Sequence, residues 1–208
     1  MDCKISEPVV GPRSEDVLPA SVSTAVKVVI VGGFGVGKTT LVGSVSEIRP
    51  LTTEETMTQA GVGVDDTAGV ERKTETTVAM DFGRISLSNE LVLYLFGTPG
   101  QQRFWFLWNG LFEGALGAVV LIDSRRLDDS FDVIGRLEEN GLPFVVAINA
   151  FPDAPSYPMS ELREAMDLPD DVPMVDCDAR NRASSRDTLL TLMRYLYTLT
   201  TTTPEQPR

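Results

Sequence analysis

The stretch Gly32-Gly33-Phe34-Gly35-Val36-Gly37-Lys38-Thr39 decides the reading of this chain. It has the pattern G-x-x-x-x-G-K-[ST], a glycine-rich turn leading into a helix. Its setting fits. Lys27-Val28-Val29-Ile30-Val31 is a short apolar run of the kind that forms a buried strand, and Thr39 to Glu47 opens a helix with Pro50 just beyond it. The glycines allow the tight turn and keep side chains off an approaching anion, so the amides of residues 33–38 can face a diphosphate. Lys38 would then reach the terminal phosphates and the Thr39 hydroxyl a magnesium ion, while the helix start adds free amides and a favourable dipole. Gly32, Gly35, Val36, Gly37, Lys38, Thr39 and Thr40 are the expected phosphate-binding set. The plainer alternative is a Gly-rich connector ahead of a helix.

Outward from this loop, 208 residues with 42% hydrophobic composition suit one globular domain. Residues 1–25 are rich in Pro, Ser, Glu and Val without periodicity and read as a flexible tail, as do residues 201–208; the domain is expected over 26–200. Residues 50–75 are polar and Gly/Thr-rich and read as a long loop. Residues 77–87 and 91–96 form two strands around the turn Ser88-Asn89-Glu90, a predicted antiparallel hairpin. Apolar strands then follow at 114–122, 143–149 and 174–177, alternating with helices at 129–139, 160–166 and 186–199, with Ser160 and Ser185 as candidate caps. Near-continuous apolar strands between helices imply a parallel sheet covered on both faces. The expected class is α/β of the P-loop NTPase kind: three layers, α/β/α, with a mostly parallel sheet and one antiparallel edge strand.

Composition excludes several function classes. A net charge of -12 argues against a broad nucleic-acid-binding face and against direct attraction to anionic lipid. The chain has no histidine, which removes histidine bases and histidine metal sites, and its two cysteines, Cys3 and Cys177, form no disulfide or zinc pattern. No secretory signal, spanning segment or lipidation motif is legible, so a cytoplasmic protein without a direct membrane anchor is expected.

Gly97-Thr98-Pro99-Gly100-Gln101 after the hairpin, and Asp178-Ala179-Arg180 after the 174–177 strand, join the phosphate loop in a wider pattern over residues 26–200. The chain resembles the Ras-like small GTPases, and more narrowly the bacterial GTPases of actinobacterial conservon operons, relatives of the gliding-motility polarity GTPases. The resemblance implies a molecular switch that binds GTP and GDP with Mg2+ and hydrolyses GTP slowly. It also implies a roadblock-fold regulator and a membrane sensor histidine kinase as partners. By the same resemblance Gly100 donates its amide to the γ-phosphate, Gln101 orients the attacking water, and Thr76 or Thr77, with Thr76 preferred, supplies a magnesium ligand. For Gln101 the alternative is an exposed loop amide, and for the threonines an ordinary strand edge.

The departures are specific. Gly97 stands where the family pattern D-x-x-G has its metal-supporting Asp, so magnesium affinity is expected to be weaker or its coordination rearranged. The base motif N-K-x-D reads Asn149-Ala150-Phe151-Pro152-Asp153, with Ala150 for Lys and Asp153 one residue late. Asp153 is either the base-reading carboxylate or a surface residue of a Pro-containing turn. Asp178-Ala179-Arg180 resembles the S-A-K segment, whose Ala amide meets the guanine O6, and Arg180 could stack on the base. Phe34 should crowd the γ-phosphate or pack on the switch segment. Arg72, Lys73 and Arg103 are candidates for a positive charge at the transition state, or else solvated surface charges. Phe104-Trp105-Phe106-Leu107-Trp108 is apolar on more than one face: part core, part partner surface, with Trp105 and Trp108 expected to report the nucleotide state. The departures leave a second reading open, a nucleotide-binding scaffold with little or no hydrolysis.

Overall fold

Alternate residues of the strand before the glycine-rich loop serve opposite faces of one sheet. Val28 and Ile30 join one buried apolar cluster, and Val29 and Val31 join another. A strand buried on both faces has no polar side, which explains why its sequence is a continuous apolar run. Full burial of each such side chain contributes about 1.5–3 kcal/mol, so this strand is a firm base for the loop at its end.

A computed structural model describes residues 21–49, 51–58, 75–100 and 102–202. The elements in order are β1 (Thr24–Val31), α1 (Lys38–Val45), β2 (Leu51–Thr58), β3 (Glu75–Ser86) and β4 (Leu91–Gly97). A 3-10 segment (Gln102–Leu107) and α2 (Trp108–Phe112) follow. Then come β5 (Gly117–Ile122), α3 (Asp128–Glu139), β6 (Phe144–Asn149), α4 (Met159–Ala165), β7 (Met174–Cys177) and α5 (Arg182–Thr202). The sheet order is β2-β3-β4-β1-β5-β6-β7. β4, β1, β5, β6 and β7 pair in parallel, while β3 pairs antiparallel with both β2 and β4. The result is a three-layer α/β/α fold with a mostly parallel sheet and antiparallel pairing at one edge. Side chains from α2, α3 and α4 pack one face, and those from α1 and α5 the other.

Three local expectations change. Residues 51–58, read as loop, form the edge strand β2, paired with β3 from Leu51↔Phe82 to Thr58↔Glu75. Ser160 lies inside α4, whose N-cap is Pro158. Ser185 is not a cap: α5 begins at Arg182, and the Asn181 side chain accepts from the amides of Ala183 (2.9 Å) and Ser184 (3.3 Å). Ser185 is buried instead, its hydroxyl bonded to the Ala179 carbonyl and to Ser44. Among the described residues no helix is long and apolar enough to cross a membrane.

Candidate functional site

The loop between β1 and α1 has the curvature its glycines allow. Gly32, Gly35 and Gly37 hold φ of 144°, 73° and 105°, which side chains disfavour. Space forbids them as well: a Cβ on Gly32 would lie 2.3 Å from the Leu121 carbonyl oxygen, and one on Gly37 would lie 2.6 Å from the Asn149 amide nitrogen. Lys38 turns back over this loop, its ammonium donating to the carbonyls of Gly32 (2.8 Å) and Gly33 (2.7 Å). Burial pushes its pKa down from 10.5 to about 8, with Asp81 opposing that shift and Arg126 adding to it. Lys38 and Thr39 line a cavity of about 320 Å³ with Gly35, Thr40, Asp81 and Gly100.

Asp81 is the residue that sequence reasoning missed. It is buried on β3, directly opposite Gly97 on β4, and accepts a 2.6 Å hydrogen bond from the Thr39 hydroxyl. A Cβ built on Gly97 would meet the Asp81 Cβ and Oδ2, both at 3.0 Å. The space that a carboxylate on β4 would need is filled by one reaching across from β3. Gly97 supplies no carboxylate, and the one this pocket holds comes from Asp81, one strand over. Thr39 and Asp81 offer hard oxygen donors of the kind that suit Mg2+, which also takes phosphate oxygens and water. Thr76 lies on β3 opposite Met57; its backbone alone is described.

The segment after β4 lies against the loop. Thr98 donates its amide to Ile30 (3.0 Å), and a Cβ on Gly100 would sit 2.7 Å from the Lys38 ammonium and 2.8 Å from the Phe34 Cα. The Phe34 side chain is 63% exposed and is not packed beneath this segment. Trp108 is wholly buried, and its indole nitrogen donates to the Pro99 carbonyl at 3.3 Å. It stands edge-on to Phe112 (5.8 Å), while Phe106 is exposed. Gln101, Arg72 and Lys73 lie outside the described residues, and so do the side chains of Arg103 and Trp105.

Asn149, at the end of β6, ties two loops together. Its amide donates to the Val36 carbonyl (2.9 Å) and its oxygen accepts from the Ala179 amide (2.9 Å). The Ala179 N–H expected at a base oxygen is thus engaged by Asn149. Arg180 folds onto Asp178 through two bonds of 2.8 and 3.0 Å rather than standing apart. Asp153 is exposed, with its charge acting on Arg125. Phe151, Asn149 and Asp178 line a second cavity of about 390 Å³. Arg125 stacks on the Phe151 ring at 4.2 Å and is held there by buried Asp123 through bonds of 2.9 and 2.8 Å. That pairing keeps the Asp123 carboxyl below its usual range. The sequence signal for this turn, Asp123-Ser124-Arg125-Arg126, was a charged cluster just past a buried strand.

A family model described as conserved hypothetical ATP binding protein matches residues 30–199. An uncharacterised protein of Methanocaldococcus jannaschii is 31% identical over 126 residues, covering 60% of this chain and 69% of that protein. The Ras-related protein RABA3 of Arabidopsis thaliana is 32% identical over 124 residues, covering 59% of this chain and 44% of its own length. With the fold and the phosphate loop, these likenesses show general homology to Ras-like P-loop NTPases.

Proposed function

This chain belongs to the family described as conserved hypothetical ATP binding proteins, and we propose that it works as a nucleotide-dependent switch, binding GTP and GDP with Mg2+ and hydrolysing GTP slowly. The observation that carries the reading is how closely the chain at Gly100 is fitted: a Cβ there would lie 2.7 Å from the Lys38 ammonium and 2.8 Å from the Phe34 Cα. Lys38 serves the outermost phosphate in loops of this pattern. A triphosphate and a diphosphate therefore meet the 98–100 segment differently, and Trp108, bonded to Pro99, carries the difference into the core. Such a segment is a bistable element that a ligand can bias.

In this reading the amides of residues 33–38 and Lys38 hold the phosphates. Thr39 and Asp81, with Thr76 as a further candidate, hold the cation, whose chemistry is to neutralise charge on the phosphate oxygens. Gly100 donates its amide to the terminal phosphate and Gln101 orients water for hydrolysis. The base lies toward Asn149, Ala179 and the cavity lined by Phe151 and Asp178, with Asp153 and Arg180 at its rim. The protein acts in the cytoplasm and reaches a membrane through partners, a roadblock-fold regulator and a membrane sensor histidine kinase, as in conservon-operon GTPases. Equal co-elution of a purified roadblock-fold protein with the diphosphate and triphosphate forms would count against that partnership.

A second reading, adenine in place of guanine, is favoured by one specific observation. The Ala179 amide is bonded to Asn149, so it does not stand ready for guanine. The family description points the same way. Calorimetric binding of GDP, GTPγS, ADP and ATPγS, each with and without magnesium, separates the two. Tight guanine and weak adenine binding supports the GTP switch; adenine preference replaces it with an ATP-binding one. Binding of none of the four sinks both.

A further inference from the structure

The turn between β5 and α3 brings a second cation to the phosphate loop. Arg126 donates through Nη2 to the Phe34 carbonyl at 2.9 Å, and the same nitrogen lies 3.9 Å from where a Cβ on Gly35 would stand. It reaches the loop from the end of β5, whereas Gly100 follows β4. Arg126 is anchored at its base by its own amide, which donates to the Asp123 carbonyl at 2.9 Å.

Its charge is only partly matched. Asp123 lies 3.5 Å from Arg126, but that carboxylate is already gripped by Arg125 through two shorter bonds. Asp129, at 3.6 Å, is about half exposed, so solvent weakens its pull. A guanidinium carries five N–H donors in a fork that suits phosphate oxygens. The bond to Phe34 engages one, and the two ion pairs are longer than good hydrogen bonds. With a side chain 46% exposed, Arg126 is free of the burial that fixes Lys38 in place.

We propose that Arg126 is a phosphate-recognition residue, an in-chain arginine that reads the terminal phosphate of a nucleoside triphosphate and is presented to the loop by Asp123. The proposal rests on the nucleotide-binding reading above. It gives the chain a cation beside the loop, of the kind that in other phosphoryl-transfer proteins comes from an arginine of the same chain or of a partner. A purely structural Arg126 would only hold the Phe34 carbonyl outward, which would affect every nucleotide alike.

The test compares wild type, R126A and R126K for binding of the nucleoside tri-, di- and monophosphate of whichever base wild type prefers, with melting temperature as the folding control. The expected result is triphosphate binding weakened about tenfold or more in R126A, as for loss of a charge-assisted bond, with the monophosphate within about twofold and partial recovery in R126K. Equal weakening across the three nucleotides, or none, overturns the proposal and leaves Arg126 a loop support. Wild type binding no nucleotide is a separate outcome: it overturns the nucleotide reading itself and this proposal with it.

Discussion

Moving the Asp81 carboxylate one strand across should move the magnesium dependence with it. Asp81 and Gly97 are register partners on β3 and β4, and a Cβ on Gly97 would lie 3.0 Å from both the Cβ and Oδ2 of Asp81. One pocket therefore has room for one carboxylate. D81G removes it and should weaken the effect of magnesium on triphosphate affinity by about 10–100-fold, the loss typical when a supporting group of a metal site goes. G97D alone adds a second carboxylate into filled space. Overpacking costs about 1–3 kcal/mol, and like charges at such a distance cannot both ionise freely. The double variant D81G/G97D keeps one aspartate and one glycine in the pair, so it should relieve the clash and regain most of the magnesium effect. The coupling should then be about 1–3 kcal/mol, within the range of residues in direct contact. Magnesium titrations of nucleotide affinity by calorimetry, with melting temperatures for all four proteins, read it out. Additive losses in the double variant, or a D81G protein that responds to magnesium like wild type, would refute the reasoning.

Three further outcomes are expected. K38M should lose triphosphate affinity by at least about tenfold while melting no lower than wild type, because burial already disfavours the Lys38 charge; a matched fall in stability would show a structural lysine. Triphosphate affinity should decline above pH 8, by about tenfold per pH unit, since an anion favours the protonated ammonium and Lys38 sheds its proton near 8 instead of near 10.5; a flat profile between pH 7 and 9.5 would contradict this. N149A should leave the Val36 carbonyl and the Ala179 amide without their partner, costing about 1–3 kcal/mol for each group left buried and unsatisfied; denaturant unfolding showing a loss under about 0.5 kcal/mol, the level of an ordinary surface change, would contradict it.

The phosphate loop and the parallel core were legible because their rules are local. Val28 to Val31 needed only their apolar run, and Gly32, Gly37 and Lys38 only their spacing. β2 was not legible: Leu51-Thr52-Thr53-Glu54-Glu55 has no apolar alternation, since an edge strand takes its identity from the neighbour it pairs with. Asp81 escaped for a related reason. It stands far from Gly97 in sequence, and only the register of the hairpin, counted back from the turn at Ser88, sets the two opposite each other. Ser185 misled because a serine near a helix start suits a cap; here Asn181 takes that role and Ser185 packs inside. Arg126 escaped because nothing within its own stretch of chain says which loop it faces.

Asn149 bonds across 113 residues to Val36 and across 30 to Ala179. Contacts between such distant parts of a chain form late, since the loop they close carries an entropy cost that nearer contacts do not. During synthesis the phosphate loop emerges before its brace, which arrives only when β6 and the turn after β7 have left the ribosome. Through that interval a nascent chain carries the whole glycine motif without this brace. Capture of nucleotide would then mark the completion of folding, and nucleotide in solution would draw the last steps of folding forward by mass action.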